Sequence, residues 1–393
     1  MTADRTTAAA LDDIDPLAPF RERFAPTPPG LIYLDGNSLG RLPKDTAPRL
    51  LSLIEQWGER LIRGWGEGWM ELPRTLGDQL GQSLLGAAPG QVLVADSTTV
   101  CFYKLASAAT QLRPGRRQLV TDRDNFPTDR YVLEGLAAER DLEIVWAQPG
   151  ELERAISEQT ALVTFSHVDY RSAAIADLRA VTELAHARGA LTLWDLSHSV
   201  GVLPIGLDAD GVDLAVGCTY KYLNGGPGAP AFLYVRAEHQ AELRQPIWGW
   251  LGREDPFAMA PGYVPAPGIA RLLSGTPPIL GLTAAAAGIE LSIKAGIDRI
   301  REKSIALTGY AIAFADEVLA GVGVGSPRDP DRRGGHVALA HARAHELTQQ
   351  LAAHDVIVDF REPDVIRLGL SPLTTSFLDV HDALQRLGAL LYL

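Results

Sequence analysis

Only two cysteines, Cys101 and Cys218, occur in 393 residues, and both sit in apolar surroundings. A disulfide framework is excluded, and the pair reads as small buried hydrophobes rather than as a disulfide or a nucleophile. Lysine is almost as scarce. The 36 basic residues include only Lys44, Lys104, Lys221, Lys294 and Lys303, so any lysine chemistry has five candidates. Positive charge is in deficit overall, 36 − 48 = −12. That argues against sequence-independent binding of nucleic acid, which needs clustered Lys and Arg, although a local pocket can still take an anionic metabolite. No uninterrupted apolar run reaches the roughly 18 residues that a spanning helix needs. The first twenty residues carry Asp12, Asp13 and Asp15 in place of a basic-then-apolar leader, so a cytoplasmic protein with no membrane partner is expected. Fixed-period repeats and low-complexity tracts are also missing.

What remains is an ordinary globular composition, 46% apolar and 21% charged. At roughly 150 residues per domain the length suggests two or three domains. Residues 1–30 end in a Pro-rich stretch and read as an N-terminal arm. From about residue 91, short apolar runs recur at Gln91–Ala95, Gln118–Thr121, Glu143–Trp146, Ala161–Phe165, Ala190–Trp194 and Asp213–Cys218. Such near-continuous runs are expected of strands covered on both faces. Helical stretches lie between several of them, the clearest at Ala174–Arg188. The fold class is therefore α/β, with a mostly parallel, helix-covered sheet in a large domain at 31–280. Residues 281–393 read as a smaller α+β domain, with strands at His336–Ala340, Val356–Phe360 and Val365–Leu370 and a helix at Ala342–His354.

In an open α/β sheet, ligands bind beyond the carboxyl ends of the strands. Those ends are followed here by Ser97-Thr98-Thr99, by Asn125 to Asp129, by Ser166-His167, by Asp195-Leu196-Ser197-His198 and by Tyr220-Lys221. Short hydroxyl side chains opening a helix suit a phosphate, though alone the signal is weak and a simple N-cap accounts for them better. Lys44 lies in a turn, Lys294 and Lys303 on solvated helix faces, and Lys104 beside a core stripe from which it is expected to snorkel to water. Only Lys221 projects from a strand end into a cleft, where a lysine can form a Schiff base with an aldehyde cofactor. Asp195 could then pair with a pyridinium nitrogen. Alternatively, Lys221 and Asp195 form a structural salt bridge. In the last strand Ile366, Leu368 and Leu370 share one face and Arg367 the other, either facing a ligand or at the surface. His341 and His345 share a helix face at i,i+4, but no third ligand is evident and no metal is expected.

Five segments together carry a resemblance. They are Leu34-Asp35-Gly36-Asn37-Ser38-Leu39-Gly40, Asn125-Phe126-Pro127-Thr128-Asp129, Trp194-Asp195-Leu196-Ser197-His198-Ser199, Tyr220-Lys221-Tyr222-Leu223-Asn224-Gly225-Gly226-Pro227-Gly228 and Gly275-Thr276-Pro277-Pro278. In order, from about residue 31 to 380, the chain resembles kynureninase, a pyridoxal-phosphate (PLP) dependent family with the type I aminotransferase fold. The resemblance implies hydrolysis of L-kynurenine or 3-hydroxy-L-kynurenine to an anthranilate and L-alanine, in tryptophan catabolism or a derived pathway. It implies that Lys221 holds PLP, that Asp195 pairs with its ring nitrogen and that Phe126 stacks on the ring. Thr98, Thr99, Ser166, His198 and Tyr220 would contact the cofactor, as would the backbone from Phe126 through Pro127 and Thr128 to Asp129. Tyr220 would also join Lys221 and Asp195 in catalysis. Trp250 and Thr276 would complete the site from the other subunit of a homodimer. Arg367 would clamp the substrate carboxylate, with Asn37, Ser38 and Trp65 also lining the substrate.

The chain departs from the family pattern at Asp169, where Asn is expected, at Ser172-Ala173, where Thr-Gly is expected, and at Thr374, where an aromatic is expected. These positions bear on substrate preference rather than on Lys221. The rival readings are another fold-type-I enzyme, an aminotransferase or a cysteine desulfurase, and a non-catalytic PLP-binding protein. A desulfurase needs a mobile catalytic cysteine, and neither Cys101 nor Cys218 has a loop context.

Overall fold

The computed structural model describes residues 3–392. Thirteen strands are found among them: β1 (Ile32–Tyr33), β2 (Val92–Val94), β3 (Gln118–Thr121), β4 (Glu143–Trp146), β5 (Thr160–Ser166), β6 (Leu191–Asp195), β7 (Leu214–Gly217), β8 (Phe232–Val235), β9 (Gly323–Val324), β10 (His336–Ala340), β11 (Val356–Ile357), β12 (Asp359–Arg361) and β13 (Val365–Gly369). Seven of them form one sheet in the order β2-β8-β7-β6-β5-β3-β4. Only β8 runs against the others. Successive residues feed two separate cores: Val92, Val94, Trp194, Ala215, Phe232 and Tyr234 on one face, Leu93, Leu193, Leu214, Val216, Leu233 and Val235 on the other. Burial on both faces is why these strands read as unbroken apolar runs. Strand β8 has no counterpart among the sequence-predicted strands, because Phe232 follows directly on the Gly- and Pro-rich loop that masks its start.

The six predicted large-sheet strands are all present, but the predicted helix at Ala174–Arg188 is shorter. It spans Leu178–Ala187, capped by the Asp177 carboxylate on the Ala180 N–H at 2.9 Å. Ala174 and Ile175 are instead held in isolated β-bridges to Arg333 and Val168. In the C-terminal part, β12-β13-β10-β9 form an antiparallel sheet. The predicted strand Val356–Phe360 splits into β11, which pairs with β1, and β12, which pairs with β13. The expected helix begins at Ala344. His341 therefore lies outside it and shares no helix face with His345.

Residues 3–34 belong with this C-terminal unit. A helix at Arg5–Asp13 packs on the helix Phe377–Leu391, and Asp12 accepts the Phe377 and Leu378 N–H groups at 3.0 Å each. Ala8, Ile32 and Leu34 are buried in the same core as Leu339, Ile366 and Leu384. Two lysines expected to meet water are buried instead. Lys104 is fully enclosed, bonding Asp96 at 2.6 Å and the Leu272 carbonyl at 2.7 Å. Lys303 pairs with Asp15 at 2.7 Å, both side chains buried. A buried ammonium needs such partners, and sequence spacing does not reveal distant carboxylates. Among the described residues no single helix is long and apolar enough to cross a membrane.

Candidate active site

Parallel strands β5, β6 and β7 end side by side, with Ser166 opposite Asp195 and Asp195 opposite Val216. Beyond β7 the chain turns through Cys218 to Lys221, whose backbone is pinned by close packing. Gly40 donates its N–H to the Tyr220 carbonyl at 2.8 Å, and a Cβ on Gly40 would stand 2.3 Å from the Lys221 carbonyl oxygen. Only glycine allows that approach. Asn224, at φ 56°, closes the turn by donating to the Tyr222 carbonyl at 2.8 Å and accepting the Arg41 N–H at 3.0 Å. Two of the sequence motifs thus touch each other.

Lys221 is buried, and its Nζ lies 3.2 Å from His198 Nε2 and 5.7 Å from the centre of the Phe126 ring. Among the described residues it forms no ion pair, so a structural salt bridge with Asp195 is not what holds it. Burial, then the Lys221 charge, drives the His198 pKa well below its ordinary value, leaving the imidazole neutral. His167 is likewise pushed down to about 4 by burial. Asp195 accepts the Ser197 N–H at 2.8 Å and faces Asp129, in the first turn of the helix Pro127–Arg140. Burial, then the neighbouring Asp195 carboxylate, raises the pKa of Asp129 well above the carboxylate range. Two carboxylates so close in a desolvated site cannot both ionise freely. Asp129 Oδ2 is buried without a hydrogen-bond partner.

Around this centre, Phe126 meets Tyr170 edge-on at 5.4 Å. Ser166 donates to Asn125 Oδ1 at 2.6 Å, and the same oxygen accepts the Phe126 N–H at 2.9 Å, which fixes the turn before Pro127 and Thr128. Thr98 and Thr99 open the helix Thr98–Leu112 behind the Ser97 cap, with their N–H groups at its positive end. Tyr220 is half-buried, and burial, then the Cys218 thiol, raises its pKa.

The carboxyl end of β13 closes the cleft from the other side. Arg367 is 1% exposed, so it is no surface arginine. It bonds Asp359 from Nε at 2.6 Å and also from Nη2, and it reaches the Tyr170 carbonyl and Ser38 Oγ, the latter at 3.3 Å. Asn37 is fully buried against Gly369, with neither amide atom bonded. Beside them His336 is fully buried with both ring nitrogens unpartnered, 5.7 Å from the His198 ring. Burial, then Arg367, pushes its pKa to about 3. His336 and Asp359 belong to the site and escaped the sequence reading, which named Asn125 without giving it a role. His336 was findable, because it sits on the same side of β10 as Ala338, which faces Arg367.

Three implied residues stand apart from this cluster. Trp65 packs on Trp69 at 5.3 Å in an apolar groove of about 500 Å³ with Trp57, Leu61 and Pro277. Trp250 packs edge-on against Phe257 at 5.9 Å, and Thr276 is exposed. Among the described residues, none of the three hydrogen-bonds to the Lys221 cluster. Cys101 and Cys218 are both fully buried with raised thiol pKa values, chiefly through burial, which removes them as nucleophiles.

The residues fit PLP. The unpartnered Asp129 oxygen beside Asp195 matches a protonated ring nitrogen, and the buried Lys221 amine beside a neutral imidazole matches an aldehyde. The free first-turn N–H groups at Thr98 and Thr99 match a phosphate.

A family model described as "Kynureninase C-terminal domain" matches residues 300–387. A curated protein named kynureninase from Burkholderia pseudomallei strain 1106a is 44% identical over 398 residues, covering 98% of this chain and 95% of its own. One of the same name from Pseudomonas fluorescens is 43% identical over 399 residues, with the same coverage, 98% and 95%. Among solved structures, an apo cysteine desulfurase from Thermococcus onnurineus superposes with a TM-score of 0.79 at 19% identity, over 92% of this chain and 95% of its own. A C-DES variant with glycine covalently linked to its PLP cofactor gives 0.81 at 15% identity, over 98% and 99%. At such identities these structures share the fold.

Proposed function

The chain belongs to the kynureninase family, and on that premise we propose that Lys221, Asp195 and Arg367 are the working groups of its reaction. That reaction is hydrolysis of the Cβ–Cγ bond of L-kynurenine, with PLP as cofactor. The products are anthranilate and L-alanine. We extend the substrate range to 3-hydroxy-L-kynurenine, to be assayed side by side.

PLP, when bound, supplies an electron sink that makes bonds near the substrate's α-carbon breakable. The chain's own groups do the rest. Lys221 Nζ holds the cofactor and moves a proton at the substrate α-carbon, and the neutral His198 beside it does not compete for that proton. Asp195 would pair with the ring nitrogen and hold its proton, while Asp129, whose pKa is raised by burial and by Asp195, leaves the negative charge of the pair to Asp195. Phe126 would stack on the ring, and Thr98, Thr99, Ser166 and the backbone from Phe126 to Asp129 would hold its substituents. Tyr220, its proton retained by burial, is a donor on the same side. Arg367 takes the substrate carboxylate through paired charge-assisted hydrogen bonds, with Asn37 and Ser38 lining the substrate.

The observation that carries this reading is Lys221 buried, without a carboxylate partner among the described residues, beside the Asp195–Asp129 pair. Its test is stoichiometric. Kynurenine should yield anthranilate and alanine in equal amounts with no keto acid added. A requirement for a keto acid would make the protein an aminotransferase.

We also propose a homodimer whose partner supplies Trp250 and Thr276. Its support is the apolar groove beside Thr276, where Trp57, Leu61, Ile62 and Leu280 are exposed by 49% or more. A cytoplasmic location agrees with two cysteines that are both free.

A further inference from the structure

Arg367 reaches the cleft with one edge already taken. Asp359 lies directly across from it on β12 and accepts from Nε at 2.6 Å and from Nη2. The same carboxylate is held from two further directions. Its Oδ2 accepts the Ser38 hydroxyl at 2.8 Å and Arg361 Nη2 at 2.8 Å. Burial alone would raise the Asp359 pKa, but the bonds and charge of Arg367 and Arg361 bring it below the ordinary carboxylate value, so it stays ionised. A planar guanidinium gripped along its Nε–Nη2 edge cannot turn about its own plane. The end-on edge formed by Nη1 and Nη2 meets only neutral partners, which a carboxylate can replace. There the protein supplies only the Tyr170 carbonyl and a long, 3.3 Å contact to Ser38 Oγ.

We infer that Asp359 is a positioning residue for substrate recognition. By occupying the side edge of Arg367 it commits the end-on edge to the substrate's α-carboxylate. Asp359 touches neither the substrate nor the cofactor in this arrangement. Arg361 and Arg367 share the one Asp359 carboxylate. Ser38 serves both sides, donating to Asp359 while its oxygen receives Arg367.

This inference rests on Arg367 being the carboxylate site. Both are tested by measuring KM and kcat for L-kynurenine, and the inhibition constant of its decarboxylated analogue, which has no carboxylate to bind. Asp359→Asn keeps the shape but turns an N–H₂ toward three donors. It should raise KM roughly 10- to 100-fold, the scale of a misplaced binding group, with kcat within about threefold. The inhibition constant of the decarboxylated analogue should be unchanged. Ser38→Ala, a milder change that keeps the ion pair, should raise KM several-fold and covers the case in which Asp359→Asn does not fold. Asp359→Glu should restore part of the loss. If Arg367→Ala leaves KM unchanged, the carboxylate binds elsewhere and the premise fails. If Arg367→Ala raises KM but Asp359→Asn and Ser38→Ala do not, the positioning role is overturned. A loss that falls equally on the decarboxylated analogue would mark Asp359 as merely structural and overturn the inference as well.

Discussion

At the scale of single residues, the two arguments to test first concern Lys221 and Arg367. Borohydride treatment of the yellow protein should fix the cofactor on one peptide, that containing Lys221. Label on Lys104, enclosed between Asp96 and the Leu272 carbonyl, would refute the assignment. Arg367→Ala removes one partner of a desolvated pair, typically a cost of about 2–5 kcal/mol. It should lower kcat/KM by roughly 30-fold to several thousand-fold while PLP stays bound, as read by the cofactor absorbance. Both residues were legible in the sequence, for different reasons. Lys221 is the one lysine at a strand end, and Arg367 interrupts an apolar alternation that places it opposite the small core. Carried over to β10, the same alternation would have found His336. Asp359 was not legible, because its meeting with Arg367 depends on the β12–β13 register, a tertiary fact. Lys104 and Lys303 were misread for the same reason: the carboxylates that let them stay buried are supplied by the folded chain.

At the scale of elements, the turn carrying Lys221 is built against the turn carrying Gly40. In Gly40→Ala the new methyl would meet the Lys221 carbonyl at 2.3 Å and Asn224 Cα at 2.6 Å, both backbone atoms that cannot rotate away. A shift of about 1 Å in the lysine should cost on the order of 100-fold in kcat, with the far-ultraviolet spectrum unchanged. The amino ends of the central strands are tied by Asp213, which accepts from Thr192 N at 2.8 Å and meets His186 at 2.8 Å and His239 at 2.7 Å. Burial opposes ionisation there, but the two histidines outweigh it and hold the Asp213 carboxyl below the usual range. The hydrogen bond to Asp213 raises His186 in turn. The stability from His186 is therefore full below its ordinary pKa of about 6.5 and is lost as pH rises through its higher folded value. The Asp213 contribution runs the other way, present above about pH 4 and lost as pH falls through its depressed value. The gap in melting temperature between wild type and His186→Ala should be widest near pH 5.5 and narrow on going alkaline; a gap that widens there would contradict the pairing. Elements were legible where both faces of a strand are buried, and β8 escaped only because a glycine-rich loop abuts it. Of the four residues wrongly given to the helix before Leu178, Ala174 and Ile175 are claimed by bridges to Arg333 and Val168, and Asp177 is the cap.

At the scale of the whole molecule, the groove around Trp57 and Leu280 is where a second copy should sit. Leu280→Asp should shift sedimentation from dimer to monomer and abolish activity together, since Trp250 and Thr276 would then be missing from each site. An active monomer would show that one chain suffices. The N-terminal helix has a consequence of another kind. Asp12 caps the Phe377 and Leu378 amides across 365 and 366 residues of chain. During synthesis at roughly 5–20 residues per second, Arg5–Asp13 emerges about 20 to 70 seconds before the helix it docks on. The large sheet can form in that interval, but the core shared by Ala8, Ile366 and Leu384 cannot. The sheet that carries Lys221 can therefore form before the strand that carries Arg367 has left the ribosome, and on the proposed assignment the nascent chain would hold the cofactor's share of the site before the substrate's.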